Sequence, residues 1–284
     1  MAFRAPASSA NLGPGFDALA VAVGLYVEVE ALPADSLSLT ATGEGAELAS
    51  HPSDHLAVRV IREVAGHDRF AVRVSSQIPV GRGLGSSAAL AAAAAAAAGS
   101  DDPLGVAARV DGHPENAAAS VLGGLVAATM VEGRPVARKL ALDPGLRFVV
   151  VVPDRPLPTA EARAALPLSV PLTDAAANLG RMGLLIAGLA DRSQLIAEAT
   201  GDRLHQAART PLFPESEVLL ACLLDAGARA ASWSGAGPTM VGICDSEKAA
   251  AVAEAASRTM NSLQLAGRTL LLEADTGGLI RLQR

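Results

Sequence analysis

A glycine-rich segment in the first half of the chain carries the clearest chemical signal. Residues 79–88 read Pro-Val-Gly-Arg-Gly-Leu-Gly-Ser-Ser-Ala, and an alanine-rich stretch follows directly. Glycine permits positive φ and close approach of a ligand to the backbone, and alanine is the strongest helix former. The start of a helix offers unpaired N–H groups and a positive dipole end. The segment therefore predicts a phosphate-binding loop.

The hydroxyls of Ser86 and Ser87 have three candidate roles, which are capping the helix, binding phosphate and ligating Mg²⁺. A serine-capped glycine turn without any ligand is the alternative. A P-loop needs Gly-Lys-Ser/Thr at the start of the helix, and the lysines of this chain, Lys139 and Lys248, follow no glycine loop. A dinucleotide fingerprint belongs to a βαβ unit, but the segment after the loop shows no clear second strand. Both of these nucleotide-site classes are therefore disfavoured.

The elements that position this loop are of mixed type. In the first half, alternating residues predict strands around residues 26–30, 37–41 and 70–74, and helical spacing appears at 56–65. A short helix after His113 and a strand at 125–131 are also predicted. In the second half, an apolar strand at 146–152 precedes helical segments around 161–165, 175–190 and 215–224. Strands at 228–232, 240–244 and 269–273 and a helix near 247–258 complete the prediction. The class is α+β. We expect two domains, at residues 1–144 and 145–284.

Composition limits the classes of function. Half of the 284 residues are hydrophobic and 18% are charged, which allows a sizeable core. A formal net charge of -6 argues against a nucleic-acid partner. The longest apolar run, residues 88–98, is shorter than the roughly 18–20 residues of a membrane span, so no membrane partner is expected. Cys222 and Cys244 fit no zinc or redox spacing and are expected as buried thiols in a reducing cytoplasm.

Three segments in order resemble those of the GHMP kinases, named for galactokinase, homoserine kinase, mevalonate kinase and phosphomevalonate kinase. Residues 79–88 resemble the central ATP motif, residues 6–17 are similar to the N-terminal motif of the homoserine kinase branch, and residues 232–239 resemble the C-terminal glycine motif. Further segments at 113–116, 159–167 and 202–209 look like those of the same branch. The resemblance implies an N-terminal ATP-binding α+β domain and a C-terminal ferredoxin-like α/β sandwich.

The resemblance also implies roles for individual residues. ATP would be held by Pro79, Gly81, Arg82, Gly83, Leu84, Gly85, Ser86, Ser87 and Ala88. Mg²⁺ would be held by Ser87, and Asp111 is the candidate second ligand where the family usually has a glutamate. The substrate would contact Asn11, Asp17, Asn116, Thr159, Arg163 and Arg209, and the catalytic residues would be Asp17, Ser87 and Asn116. Scarce aromatic residues indicate an aliphatic adenine pocket, with residues 56–60 as a candidate.

Residue chemistry fits these roles and also leaves simpler ones open. A carboxylate such as Asp17 accepts from an ammonium group, and arginines such as Arg163 and Arg209 bind a carboxylate through two parallel hydrogen bonds. Asn11 and Asp17 also favour turns on their own account. His113 is predicted to be a helix-capping or packed histidine. Asp17 is a candidate general base, but direct attack by a well-placed hydroxyl is the default.

Two positions depart from the family pattern. The family usually provides a glutamate for Mg²⁺ ahead of the 113–116 segment, whereas here the nearest carboxylate is Asp111, which could instead cap the next helix. The aspartate of the family signature is Glu115 in this chain. An extra methylene matters where reacting atoms must align within about an ångström. The departures put catalytic efficiency in question more than the fold.

The resemblance implies ATP-dependent phosphorylation of the side-chain hydroxyl of L-homoserine, a step of threonine biosynthesis. Two alternatives stay open. One is another GHMP kinase acting on mevalonate-type acids, shikimate or a sugar; the other is an ATP-binding regulator that has lost catalysis. The sequence leaves the assembly state open, with a homodimer as one candidate, and it does not report feedback regulation.

Overall fold

The structure is a computed structural model that describes residues 1–283 of the chain. The strands are β1 (Ala2–Asn11), β2 (Gly15–Pro33), β3 (Ser38–Gly43), β4 (Phe70–Ser76), β5 (Leu125–Val131), β6 (Arg134–Leu140), β7 (Leu146–Pro153), β8 (Ala230–Trp233), β9 (Met240–Asp245), β10 (Gly267–Leu272) and β11 (Ile280–Arg281). The helices are α1 (Leu56–Ala65), α2 (Ser86–Ala97), α3 (Pro103–Asp111), α4 (Pro114–Leu122), α5 (Thr159–Ala164), α6 (Leu172–Ala190), α7 (Gln206–Arg209), α8 (Glu215–Asp225) and α9 (Ala249–Ser262). Short 3-10 helices cover Ala46–Ser50, Pro52–Asp54, Arg192–Gln194, Ala197–Thr200 and Thr210–Leu212.

The first sheet has seven strands and is built mainly from the first half of the chain. Its main path runs β11-β1-β2-β4-β3, and β2 also pairs with β5, which pairs with β6. The β3–β4 pair is parallel and the others are antiparallel. A tight turn at residues 12–14 joins β1 to β2, so Asn11 and Asp17 lie at one end of the sheet.

The alanine helix α2 anchors the predicted phosphate loop to this sheet. It packs against β1 and β2 and against helices α1, α3 and α4. Nearly all of its side chains are buried. Alanine combines the highest helix propensity with a side chain small enough for neighbouring backbones to approach. The predicted internal helix is therefore present, and it begins at Ser86, directly after the glycines.

The second sheet has four antiparallel strands in the order β10-β7-β9-β8. Helices lie between β7 and β8 along the chain, and α9 lies between β9 and β10. A β-α-β-β-α-β sequence of elements with this strand order is the ferredoxin-like arrangement. The expected α+β class and the ferredoxin-like second half are thus confirmed.

The central strand of the second sheet is buried on both faces. Phe148 and Val150 join the large core that includes the first sheet and helix α6, whereas Val149 and Val151 join a second core beneath α8 and α9. Successive side chains of a strand point to opposite faces. This double burial explains why residues 148–152 form a continuous apolar run.

Several elements differ from the expectations of the sequence. Strand β1, helix α3 and strand β6 have no counterpart in the predicted pattern. Strand β1 is buried along most of its length, so it shows no alternation of polar and apolar residues. Residues 274–281 return to the first sheet through a bridge at Ala274 and through β11. The domain boundary between 144 and 145 stays a prediction.

The structure also bears on the expectations about membrane spans and about the two cysteines. In residues 1–283, no helix has both the length and the apolar character needed to cross a membrane. Both cysteines are free, but only Cys244 is fully buried, whereas Cys222 is half-buried beside Thr259. Burial raises the pKa of Cys244 to about 12. Cys244 is therefore an unreactive thiol at neutral pH.

Candidate active site

The glycine loop between β4 and α2 has the backbone shape that its sequence predicts. Gly81, Gly83 and Gly85 have φ values of 66°, 74° and 63°, which L side chains rarely adopt. A Cβ at Gly83 would lie 2.2 Å from the backbone oxygen of Ser234, and the Ser234 hydroxyl donates to the Gly83 carbonyl at 2.7 Å. Glycine is thus required because the loop is in contact with the β8–β9 turn.

The first turn of α2 opens into a cavity. Its lining includes Gly83, Leu84, Gly85, Ser86 and Ser87. No side chain caps this helix start, so its first N–H groups are available to a ligand. With the positive end of the helix dipole behind them, these groups make an anion site.

Arg82 lies apart from that opening, although the sequence places it within the loop. Its Nε donates to the Pro153 carbonyl at 2.9 Å, and its Nη1 donates to the Val80 carbonyl at 2.9 Å. A third hydrogen bond joins Nη2 to the Asp154 carbonyl. The guanidinium therefore ties the loop to the end of β7. Pro79, Gly81, Arg82 and Ala88 do not line the cavity.

Two oppositely charged side chains of the cavity lining are paired with each other. Arg163 of α5 donates through Nη2 to Asp17 Oδ1 at 2.9 Å and through Nη1 to Asp17 Oδ2 at 3.1 Å. Arg163 Nη2 also lies 2.9 Å from His113 Nε2. Because a guanidinium only donates, His113 Nε2 is the acceptor in this contact.

Arg209 reaches the cavity that contains Asp17 and Arg163 from helix α7, and it is only 2% exposed. Its Nη1 donates to the Gly235 carbonyl at 2.9 Å, and its Nε donates to the Ala162 carbonyl at 3.4 Å. Burial lowers the pKa of Arg209 to about 10, so it stays charged at neutral pH. The Phe16 ring has the Arg163 guanidinium 5.6 Å and the Arg209 guanidinium 5.7 Å from its centroid.

Asn11 holds the β1–β2 turn in place. Its φ is 70°, in the left-handed region that asparagine tolerates better than most residues. Its Nδ2 donates to the Gly235 carbonyl at 2.8 Å, and its Oδ1 accepts from the Asp17 N–H at 3.1 Å. Both ends of the amide are therefore engaged with protein groups. Asn11 also lines the cavity, and its contact with substrate stays a prediction.

The phosphate loop and the charged cluster share one cavity. Besides the loop residues, its lining contains every predicted substrate residue, namely Asn11, Asp17, Asn116, Thr159, Arg163 and Arg209, and it also contains Asp111, His113, Glu115, Gly235 and Ala236. These residues come from the β1–β2 turn, the α2 and α4 starts, helices α5 and α7, and the β8–β9 turn. The fold therefore brings together residues that are up to 225 positions apart, from Asn11 to Ala236.

Comparison with known proteins assigns this arrangement to a family. Residues 55–124 match the model for the GHMP kinase N-terminal domain, and residues 176–262 match the model for the GHMP kinase C-terminal region. A homoserine kinase of Streptomyces coelicolor is 42% identical over 87% of this chain and 85% of its own length. The chain belongs to the GHMP kinase family. A homoserine kinase of Thermus thermophilus is 41% identical to this GHMP kinase over 96% of the chain and 95% of its own length.

Solved structures agree with this GHMP kinase in fold. A homoserine kinase from Cytophaga hutchinsonii superposes with a TM-score of 0.84 at 25% identity, covering 99% of this chain and 96% of its own. A mevalonate kinase of L. major, in complex with R-mevalonate, superposes with a TM-score of 0.71 at 15% identity and covers 96% of both chains. The second likeness shows the fold alone. GHMP kinases use ATP as phosphoryl donor.

The predicted metal ligands of this kinase lie beside each other. The Ser87 hydroxyl donates to Asp111 Oδ1, which joins the start of α2 to the end of α3. A hydroxyl and a carboxylate are the oxygen donors that Mg²⁺ prefers. Residues 1–283 contain no cluster of three or more His, Cys, Asp and Glu side chains placed to hold a metal. The remaining ligands of Mg²⁺ in this kinase would be water and nucleotide phosphate oxygens.

Asn116 and Glu115 form a polar pair at the start of α4. Asn116 Oδ1 accepts from the Ser8 hydroxyl at 2.8 Å, and Asn116 Nδ2 donates to Glu115 Oε1 at 3.2 Å. Glu115 is 1% exposed, and its Oε2 has no hydrogen-bond partner among residues 1–283. Burial raises the pKa of Glu115 to about 7, and nearby Asp17 and Asp111 add to the effect. The kinase therefore buries an acid that titrates near neutral pH.

His113 lines the cavity but was not predicted to be functional. His113 was expected to cap or pack, but its side chain does not cap α4. Instead, its Nδ1 lies 2.9 Å from the Asp111 carbonyl, and its Nε2 faces Arg163. Interaction with Asp111 raises the pKa of His113, while burial and Arg163 oppose that rise. Its place directly before Pro114 and Glu115 was the signal available in the sequence.

A second, more apolar cavity adjoins the phosphate loop. It shares Ser86 and Ser87 with the first cavity, and its other lining residues include Leu48, Leu56, Val80 and Leu90. Of the predicted adenine-pocket residues 56–60, only Leu56 lines this cavity, and the adenine pocket stays a prediction. A base lying there would have its phosphates directed towards the start of α2.

Proposed function

We propose that this GHMP kinase transfers the γ-phosphoryl group of ATP to the side-chain hydroxyl of L-homoserine, giving ADP, O-phospho-L-homoserine and a proton. The observation that carries the proposal is the single cavity, whose lining joins the phosphate loop to the cluster of Asp17, Arg163 and Arg209. The relatives named homoserine kinases support the choice of substrate. The reaction would serve threonine biosynthesis.

The nucleotide lies along the start of α2 in this proposal. The triphosphate accepts from the main-chain N–H groups of the loop and of the first turn of α2. The adenine occupies the apolar cavity beside Leu48, Leu56 and Leu90. Ser86 and Ser87 stand at the junction of both cavities, where the phosphate chain must pass.

Mg²⁺ fits the oxygen donors at this junction, and Ser87 and Asp111 would hold it together with phosphate oxygens. The ion would supply charge neutralisation on the phosphates. The Ser87 hydroxyl would ligate the ion through a lone pair of its oxygen, which leaves its hydrogen free to donate to Asp111. Asp111 has a shorter side chain than the glutamate usual in the family. Its carboxylate nevertheless reaches the Ser87 hydroxyl at the start of α2.

Recognition of the amino acid rests on the charged cluster. Asp17 accepts from the ammonium group, and Arg163 with Arg209 binds the carboxylate, while Thr159 and Asn116 contact the substrate between the charged groups and the phosphate loop. Without substrate, Asp17 and Arg163 neutralise each other. A zwitterion replaces that pair with one counter-ion for each residue, so charge balance in the cavity is retained.

The chemistry relies on positioning and charge rather than on a general base. Phosphoryl transfer proceeds largely through alignment and electrostatic stabilisation. Asp17 is held by Arg163 and by its turn, which favours a binding role over proton abstraction. Asn116, fixed by Ser8 and Glu115, orients the attacking hydroxyl. The hydroxyl proton leaves with the phosphoryl product or to water.

An ADP-release assay over a panel of hydroxyl compounds tests this proposal. The panel contains L-homoserine, D-homoserine, mevalonate, shikimate and galactose, each with ATP and Mg²⁺. We expect turnover with L-homoserine at least about 100-fold above mevalonate, shikimate and galactose, because a site built for two opposite charges rejects compounds that leave one charge unpaired. D-homoserine keeps both charges and therefore tests only the handedness of the site. Turnover on a non-zwitterion would favour another GHMP kinase activity. Nucleotide binding without any turnover would favour the regulator.

The setting of the enzyme is also part of the proposal. Two free cysteines fit a reducing cytoplasm. The homodimer stays a prediction, and light scattering behind a size-exclusion column measures it. A mass of one chain, 28.6 kDa, would contradict the dimer.

A further inference from the structure

His205 is a buried histidine that contacts the charged cluster from behind. It lies directly before α7 and is 1% exposed. Its Nε2 is 2.8 Å from the Gly13 carbonyl, and its Nδ1 is 2.9 Å from Arg209 Nη1. The imidazole therefore links the β1–β2 turn to one guanidinium of the cavity.

These two contacts determine the tautomer of His205. A carbonyl oxygen only accepts, so Nε2 carries the hydrogen and donates to Gly13. A guanidinium only donates, so Nδ1 offers its lone pair to Arg209. The ring is neutral in this arrangement, because an imidazolium would place an N–H against the N–H of Arg209.

The charged and titratable groups around the ring agree with a neutral imidazole. Burial lowers the pKa of His205, and the Arg209 charge lowers it further, while Asp202 and Asp17 act in the raising direction. Asp202 Oδ1 lies 3.8 Å from His205 Nε2, but its oxygens accept from three backbone N–H groups and from Asn178. Phe16 stacks on the ring at a centroid distance of 5.1 Å.

We propose that His205 is a positioning residue for substrate recognition: its Nδ1 lone pair fixes the direction of the Arg209 guanidinium towards the carboxylate of the amino acid. The proposal rests on the proposed function, in which Arg209 binds that carboxylate. Among residues 1–283, the other hydrogen-bond acceptors of the Arg209 guanidinium are two backbone carbonyls, of Gly235 and Ala162.

The link also explains why a histidine suits this position. Arg209 comes from α7, whereas Asp17 comes from the far end of the turn that contains Gly13. The two groups must lie at a separation that matches an ammonium and a carboxylate on one carbon. A ring with a donor on one edge and an acceptor on the other connects both elements at fixed length. Of the two contacts, the Nδ1 acceptor is the one that acts directly on Arg209, while the bond to Gly13 holds the ring.

Two isosteric variants separate the two edges of the ring. In His205→Asn the side-chain oxygen replaces the Nδ1 acceptor, whereas in His205→Gln the side-chain amide replaces only the Nε2 donor. We expect His205→Gln to raise the KM for L-homoserine about 10- to 30-fold, the scale of one hydrogen bond to a charged group. We expect His205→Asn to stay within about threefold of the original chain, because Arg209 keeps an acceptor.

The KM for ATP and the kcat give the readout that a merely structural role would not produce. We expect both to change less than about twofold in the two variants, since a fault in folding would lower kcat and nucleotide affinity together. His67→Asn, at an exposed position away from the cavity, is the matched control. Equal KM increases in both His205 variants, or no increase in either, would overturn the inference.

Two further measurements separate this inference from the proposed function. In Arg209→Lys, an unchanged KM for L-homoserine would remove the proposed role of Arg209 and the inference with it. A raised KM in Arg209→Lys with a normal KM in His205→Gln would overturn the inference alone.

Long-range ¹H–¹⁵N correlation spectra of the five histidines report tautomers without any substrate. The Nε2–H tautomer of His205 at pH 7 is expected, and an Nδ1–H or imidazolium pattern would contradict it.

Discussion

The proposed function divides the cavity lining into a phosphate end and a substrate end, which would recognise charge by different means. At the phosphate end, the proposed binding groups are main-chain N–H groups presented by Gly83, Gly85 and the start of α2. At the substrate end, the proposed binding groups are the side chains of Asp17, Arg163 and Arg209, which come from three separate elements. Backbone recognition depends on local conformation, whereas side-chain recognition depends on how distant parts of the fold are joined.

The largest expected effect comes from a change of backbone at the phosphate end. In Gly83→Ala, the new Cβ would lie 2.2 Å from the Ser234 backbone oxygen, so the loop and the β8–β9 turn must separate. We expect kcat/KM to fall about 1,000-fold, with weakened ATP binding measured by calorimetry. Gly81→Ala has a similar positive φ but open space around its Cβ, and it is the matched control. Equal losses in the two variants would contradict the role of the close contact.

Removal of one charge at the substrate end comes next. Arg163→Ala leaves Asp17 without its partner and the substrate carboxylate with Arg209 alone. We expect the KM for L-homoserine to rise about 100-fold, the scale of a lost charge-assisted pair of hydrogen bonds, with little change in the KM for ATP. Arg203→Ala is the control, since Arg203 pairs with Asp174 away from the cavity. A larger change in the KM for ATP than in that for homoserine would break the division between the two ends.

A pH titration examines Glu115, which lies between the two ends. Its pKa is about 7 in the fold against 4.5 ordinarily, so the folded chain binds more protons between these values. The stability from the neutral acid is therefore fully present below about 4.5 and is lost as the pH rises through about 7. Glu115→Gln removes this dependence. Without nucleotide or Mg²⁺, we expect the variant to gain about 2 kcal/mol in free energy of unfolding, relative to the original chain, from pH 5 to pH 8.

Chemical denaturation at each pH measures this difference, with Glu254→Gln as the control on the exposed surface of α9. A difference between Glu115→Gln and the original chain that stays constant with pH would show that Glu115 is ionised throughout. An ionised Glu115 at the start of α4 would then add a negative charge to the substrate end of the cavity.

The smallest expected effect concerns the side-chain part of the phosphate end. Asp111→Asn retains the shape of the side chain and a contact for Ser87 but removes the negative charge. We expect the Mg²⁺ concentration for half-maximal rate to rise about tenfold, as is typical when one ligand of a site is weakened. Asp101→Asn, on the exposed loop before α3, is the control. An unchanged Mg²⁺ requirement would leave metal binding to Ser87 and the nucleotide.

The same contrast explains what the sequence could predict. The phosphate loop was predictable because glycines, serines and a strong helix former stand in one continuous segment, and α2 begins at Ser86 as that pattern indicates. The identities of Asp17, Arg163 and Arg209 came from family resemblance. Their pairing did not, because the contact of Asp17 with Arg163 joins residues 146 positions apart.

Other features lay outside the reach of sequence patterns for physical reasons. Strand β1 is buried on both sides, so it lacks the alternation that identifies a strand. His205 is recognisable only after the Gly13 carbonyl and Arg209 are placed on its two sides. Arg82 belongs to the loop in sequence, yet its guanidinium bonds to carbonyls at the end of β7. Each of these depends on tertiary contacts.

Direct observation of the phosphorylated product tests the central claim that one cavity holds ATP at one end and a zwitterion at the other. The purified chain is incubated with ATP, Mg²⁺ and L-homoserine, and the reaction is followed by ³¹P NMR and mass spectrometry. The account predicts ADP and a phosphate ester on the homoserine side chain in equal amounts. ADP with free phosphate alone, or no consumption of ATP, would contradict it.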